Sequence, residues 1–238
     1  MHEKANSPQT AELAYLRVLQ LADSALPIGA LAHSFGLESL AATGRLRVQE
    51  LESFLEQYLE EAGAMEAVFC RAGFQLGGCS ELDGRRWTEI NQRLGALKAG
   101  RESRAASAAL GHNFLTAITD ATRLPVAEQA LEAGKDADIG VHHSPAFGLV
   151  AAALGVDEDS AALAYLHQSA AGLISACQRL LPLGQRHATR ILWNLKPAMV
   201  RSARGSRDCS PQDICCFLPM LDWGAMEHPA LHTRLFIS

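Results

Sequence analysis

Between Leu51 and Met65 the apolar positions are Leu51, Phe54, Leu55, Tyr58, Leu59, Ala62 and Met65, with Glu52, Glu56, Glu60 and Glu61 between them. Steps of three and four residues place one apolar stripe along a helix, and the pattern runs on to Leu76 before GGCSELDG interrupts it. Similar patterning predicts helices over 85–97, 102–121, 126–133, 146–154, 158–181 and 185–203. The loop GKDADIGVHHSP precedes the fourth of these, Asp157 is a natural N-cap for the fifth, and Pro182 ends it. Near the start, Ser7 reads as an N-cap with Pro8 at the first helical position. Leu13, Leu16 and Gln20, or Ala14, Val18 and Leu21, mark that helix's spacing. Pro27 and Gly29 then break the chain, and a second helix is expected over 31–43 with Gly44 as its stop.

No stretch alternates as a half-buried strand would, and alanine is abundant while β-branched residues are scarce. Neither a repeat nor a linker divides the chain. The expectation is a single all-α domain over 1–238, about ten helices in a compact bundle-like arrangement. Residues 205–238 form a distinct C-terminal tail within it, broken by Pro211, Pro219, Gly224 and Pro229. An apolar ending such as RLFIS must dock on its own body or on a partner.

Composition narrows the function. Hydrophobic residues at 48% and charged residues at 20% suit a protein with a core, and a net charge of -5 argues against nucleic acid. The one basic cluster, residues 196–207, reads as a solvated helix end. The longest uncharged run, 160–178, carries His167, Gln168 and Ser169 at its centre, so a buried helix is expected rather than a membrane span. No apolar leader is visible in MHEKANSPQT, and the six cysteines show no C-x-x-C, so reduced thiols and a cytoplasmic location are expected. Cys70 and Cys177 fall among apolar neighbours and should lie in the core.

Chemistry-bearing residues crowd into ADSALPIGALAHSFGLE, residues 22–38, yet the segment lacks a G-x-S-x-G elbow. On a helix the adjacent His33 and Ser34 would diverge by about 100° and could not pair as base and nucleophile. His142–His143 and the carboxylates Asp157, Glu158 and Asp159 have no third histidine at ligand spacing, so no metal site is assigned. No phosphate-binding glycine loop is present. Any nucleotide chemistry would therefore come from a partner, on which Arg101, Arg104 or Arg234 could act. The residues by themselves describe a helical protein with no visible catalytic site and no cofactor.

Asp23, Pro27-Ile28-Gly29 and His33-Ser34-Phe35-Gly36-Leu37-Glu38 resemble the opening of the urease accessory protein UreF family. RESRAASAALG, HHSPAFGLVAAALG and RLLPLGQ follow in the family's order, and MEHPALHTRLFIS closes the chain. The chain departs from the family pattern at Leu31, Pro229 and His232. The resemblance implies a non-enzymatic, all-α, dimerising factor. It would join a second accessory protein (UreD, also called UreH) and the GTPase UreG to deliver nickel to apo-urease. It also implies partner binding by Arg234, Leu235, Phe236 and His228 in the tail and by Glu38 and His33 in the opening block. Residues 227–238 are then expected to be ordered mainly by the second accessory protein. Two rivals stand beside this reading: a metallochaperone binding nickel through His142, His143 or the cysteines, and a hydrolase using His33 and Ser34.

Overall fold

The computed structural model describes residues 8–238, and Ser7 lies outside the described residues. No strand occurs among them. The α-helices are α1 (Pro8–Leu21), α2 (Leu37–Ala42), α3 (Leu51–Tyr58), α4 (Ala64–Gly77), α5 (Gly84–Leu97) and α6 (Arg101–Thr122). They continue as α7 (Pro125–Asp136), α8 (His143–Ala153), α9 (Glu158–Leu180), α10 (Gln185–Asn194), α11 (Lys196–Gly205) and α12 (Pro219–Glu227). A π turn, Leu59–Gly63, joins α3 to α4 as one rod, and only Leu195 separates α10 from α11. The expected all-α architecture is what the described residues adopt, with twelve α-helices against the about ten expected. Among the described residues, no helix is long and apolar enough to cross a membrane.

Three local departures have physical causes. The expected helix 31–43 begins only at Leu37, because Phe35 (φ 52°) and Gly36 (φ 92°) take left-handed backbone conformations after a short 3₁₀ turn at Ala30–Ala32. The expected helix 185–203 is divided at Leu195, since Pro197 has no N–H to donate to residue 193. The helix expected at 146 starts earlier, at His143. Asp157 caps α9 as expected, accepting a hydrogen bond from the Ser160 amide at 2.9 Å, and Gly44 ends α2 with φ 69°.

α4 is the axis of the molecule and pairs most extensively with α8. Their backbones meet directly. A Cβ added to Gly148 of α8 would lie 1.8 Å from the Cys70 carbonyl oxygen, and one on Gly73 or Gly77 of α4 would lie 2.0 Å from the carbonyl of Pro145 or Leu149. Around this seam, Phe69, Trp87, Phe114 and Phe147 fill one half of the core, and the Trp87 indole N–H is satisfied by the Ala130 carbonyl at 3.1 Å. The other half is built by leucines of α2, α3 and the π turn against α9, α10 and α11. α9 spans both halves, with Tyr165 in the first and Leu166, Ala170 and Leu173 in the second. Cys70 and Cys177 are buried at 1% and 0% exposure, as the sequence leads one to expect.

Gly148→Ala should destabilise the fold by about 3 kcal/mol or more, because the clash is with backbone and no side chain can move aside. Gly172→Ala on α9, where an added Cβ meets nothing within 4 Å, should be neutral or stabilise by up to about 1 kcal/mol. Chemical denaturation of both variants checks the contrast; equal effects would mean that α4 and α8 are not in backbone contact.

Candidate functional site

The left-handed step at Phe35–Gly36 aims α2 at the tail. Gly36 sits under α12, where a Cβ would lie 2.7 Å from the Ala225 nitrogen, and Gly224 faces the Gly36 carbonyl in turn. This crossing of small residues brings Glu38 against the last turn of the chain. The Glu38 side chain is buried, and its carboxylate accepts three hydrogen bonds. Oε1 takes the Leu235 amide at 2.6 Å, while Oε2 takes the Phe236 amide at 3.1 Å and faces His228 Nε2 at 2.9 Å.

His228 is fully buried between two acids, for its Nδ1 lies 2.6 Å from Glu102 Oε2. Each ring nitrogen therefore meets a carboxylate oxygen at hydrogen-bond distance, and the ring ties the two acids together. Arg234 adds a longer contact to the other Glu102 oxygen, at 3.5 Å.

The rest of the tail is seated by backbone bonds. The Ile237 amide donates to the Ala32 carbonyl at 2.8 Å, and the amides of Ser34 and Phe35 both donate to the Ser238 backbone oxygen. His33 Nδ1 meets Ser238 Oγ at 2.8 Å, and burial lowers the His33 pKa. Phe236 is buried beneath the Arg179 guanidinium, 4.1 Å from its ring centre. Arg179 also donates to the carbonyls of Leu31 and Leu235.

All six residues singled out from sequence, His33, Glu38, His228, Arg234, Leu235 and Phe236, therefore meet in one place. Their roles divide. Glu38, His228 and Phe236 are buried and hold the tail down, and His33 is half-buried beside Ser238, while Arg234 and Leu235 remain exposed. The expectation that residues 227–238 are ordered mainly by a partner is corrected here: the chain's own α2 and α6 supply their hydrogen bonds. Nor do His33 and Ser34 form a hydrolase pair. They lie before α2 rather than on a helix, and Ser34 is buried with its hydroxyl accepting from the Glu38 amide at 3.4 Å. Glu102, Arg179 and the exposed Ile237 belong to the site but were not singled out. Glu102 stands 126 residues from its partner His228, and no local spacing reveals such a pairing.

A second polar group lies deeper, on the seam. Glu66 of α4 pairs with Lys98 and accepts from Ser144 of α8 and, at 3.4 Å, from Tyr165 of α9. Burial raises the Glu66 pKa, but Lys98 and Ser144 outweigh it and the net direction is down. The two candidate metal histidines diverge. His142 is tied by its amide to Asn91 Oδ1 and by its ring to Ser107, whereas His143 packs among Phe114, Phe147 and Tyr165. Asp159 instead binds Arg71 and Arg207, whose hydrogen bonds lower its pKa to about 2. Among the described residues no three His, Cys, Asp or Glu side chains are grouped to hold a metal ion.

The UreF family profile matches residues 47–196. The chain belongs to the UreF family. It is 30% identical over 223 residues to the urease accessory protein UreF of Corynebacterium glutamicum (strain R), covering 93% of this chain and 96% of that one. To UreF of Trichormus variabilis it is 30% identical over 229 residues, covering 94% and 96%. Urease accessory protein F of Oryza sativa subsp. indica is 29% identical over 225 residues, covering 92% and 83%.

In this UreF-family chain the buried histidines set an acid limit on stability. Burial lowers His142 and His143 from 6.5 to about 4, so below pH 6.5 the unfolded chain binds more protons than the fold. The stability held by the neutral rings is complete above that pH and is lost as pH falls toward 4. His143→Phe keeps an aromatic ring in place. It should flatten the pH dependence of unfolding free energy in this window by up to about 1.4 kcal/mol per pH unit. Urea melts at stepped pH measure it; an unchanged slope would mean that His143 takes up its proton equally in both states.

Proposed function

We propose that this chain is a urease maturation factor that performs no chemistry of its own and acts by docking. It joins the accessory protein UreD/UreH and the GTPase UreG, and the assembly inserts nickel into apo-urease in the cytoplasm. One observation carries the reading: the family-like opening block and the family-like tail, some 200 residues apart, combine into a single surface. Its base is buried and hydrogen-bonded, and its outer face presents Arg234 with Leu235 and Ile237, which are 63% and 70% exposed. Arginine is among the residue types enriched at interface hot spots, and here it stands exposed beside aliphatic side chains on a scaffold already ordered. A preformed surface also avoids the ordering cost that a flexible tail would add on binding.

The tail face is assigned to UreD/UreH. Leu13, Leu16 and Leu19, all exposed along α1, offer a separate apolar stripe to a second copy of the chain. For the metallochaperone alternative, Ser107 engages the His142 ring, and Cys70 and Cys177 are buried with raised pKa values. Among the described residues, His143 and the exposed cysteines do not gather into a group of three ligands.

The test is urease activity in cells that express the urease genes and are supplied with nickel, with the chain present, absent or carrying Arg234→Ala. Activity should require the chain. It should fall with Arg234→Ala as affinity for UreD/UreH drops by about tenfold or more, while Arg85→Ala, on a distant exposed helix face, leaves it unchanged. Activity without the chain would overturn the maturation role, and full activity with Arg234→Ala would remove Arg234 from the interface.

A further inference from the structure

Beside the seam the helices line a partly open chamber of about 140 Å³. Its walls are largely apolar, among them Met65, Leu110 and Leu173, with the loop residue Leu218 on the tail side. Two polar atoms reach it without a protein partner: His143 Nε2 and Gln168 Oε1 are both buried and make no hydrogen bond. His143 as a whole is only 8% exposed. An unpaired buried polar atom costs about 1–3 kcal/mol, so two facing one chamber mark a place where a bound molecule supplies the missing bonds.

The backbone around the chamber is specialised too. The π turn Leu59–Gly63 sits in its wall, with Tyr58 just before the turn, Ala62 within it and Glu66 one turn beyond it all facing inward. A π turn inside a helix is rare and is found frequently at functional sites.

The chemistry of the lining restricts the occupant. Glu66, the buried charge at the chamber, is already neutralised by Lys98 and hydrogen-bonded by Ser144 and Tyr165. Asp222 stands at the wall formed by α12, where burial raises its pKa. The atoms left over are a neutral amide oxygen, which accepts only, and a nitrogen of an imidazole that burial keeps uncharged at neutral pH. Apolar cavities of about 150 Å³ take up benzene, so the space admits one small ring.

We propose that this chamber is a binding site for one small, neutral, ring-sized organic molecule carrying a hydroxyl or N–H donor. The donor bonds to Gln168 Oε1, His143 Nε2 completes the polar contact, and the ring lies against Met65, Leu110 and Leu173. The proposal concerns a ligand of the chain itself and is independent of the docking role of the tail.

Phenol is the probe, and toluene is the same ring without the donor. In ¹H–¹³C spectra of the full-length protein, phenol should shift the methyl signals of Met65, Leu110 and Leu173. Its dissociation constant should be on the order of 1 mM, ordinary for so few atoms, and toluene should bind about tenfold more weakly. Gln168→Leu should remove that preference for phenol. Should that variant not fold, the side-chain amide signal of Gln168 in the unaltered protein reports the same bond, shifting with phenol and not with toluene. Unmoved methyls up to 20-fold above about 1 mM would overturn the proposal, leaving a chamber that takes water alone. Equal binding of phenol and toluene would overturn the hydrogen-bonded site, and a response to nickel chloride without one to phenol would make it a cation site instead.

Discussion

Where α4 crosses α8 there is no room for a side chain, and Gly73, Gly77 and Gly148 let carbonyl oxygens approach to within 2.0 Å of where a Cβ would stand. Close packing of this kind transmits position without slack. It fixes the first turn of α8 beside the first turn of α4, so that Ser144 reaches Glu66 and His143 points among the aromatic rings. It also fixes α9, whose Tyr165 closes the same group. Because α4 continues through a π turn into α3, the seam orients the leucines of the second core half as well.

The tail obeys a different constraint. Buried backbone amides must be paired, and the chain answers for Leu235 and Phe236 with one carboxylate, Glu38, brought within reach by the glycine crossing of α2 and α12. Burying that charge is tolerable only because His228 and two amides surround it, and His228 is in turn held by Glu102. Acid, imidazole and acid thus connect α2, the 3₁₀ turn His228–Ala230 and α6 into one unit. The exposed residues Arg234, Leu235 and Ile237 stand on that unit. A partner meeting them meets a surface whose shape is set by groups it never touches.

Helix periodicity made most of this architecture legible in advance, because an apolar stripe every three to four residues leaves one choice of structure. Legibility failed where backbone conformation depended on distant contact. Phe35 and Gly36 leave the helical region to accommodate α12, nearly 190 residues later in sequence, and nothing in AHSFGLE announces it. The π turn was equally hidden, since inserting one residue into a helix barely disturbs its pattern. At the site, the six residues came from resemblance between blocks of sequence, while their division into a buried base and an exposed face came from geometry. An ending as apolar as RLFIS reads equally as docked on its own body or awaiting a partner, and hydrogen bonds from Glu38 decided for the first.

The most direct test of this account is amide hydrogen exchange in the isolated, partner-free protein, resolved at the amides of Leu235, Phe236 and Ile237. If the chain seats its own tail, these amides exchange far more slowly than in an unstructured peptide, and Glu38→Gln, which turns one acceptor oxygen into a donor, brings Leu235 and Phe236 back toward the peptide rate. Exchange at the peptide rate in the unaltered protein would contradict the account, and the tail would then owe its order to a partner.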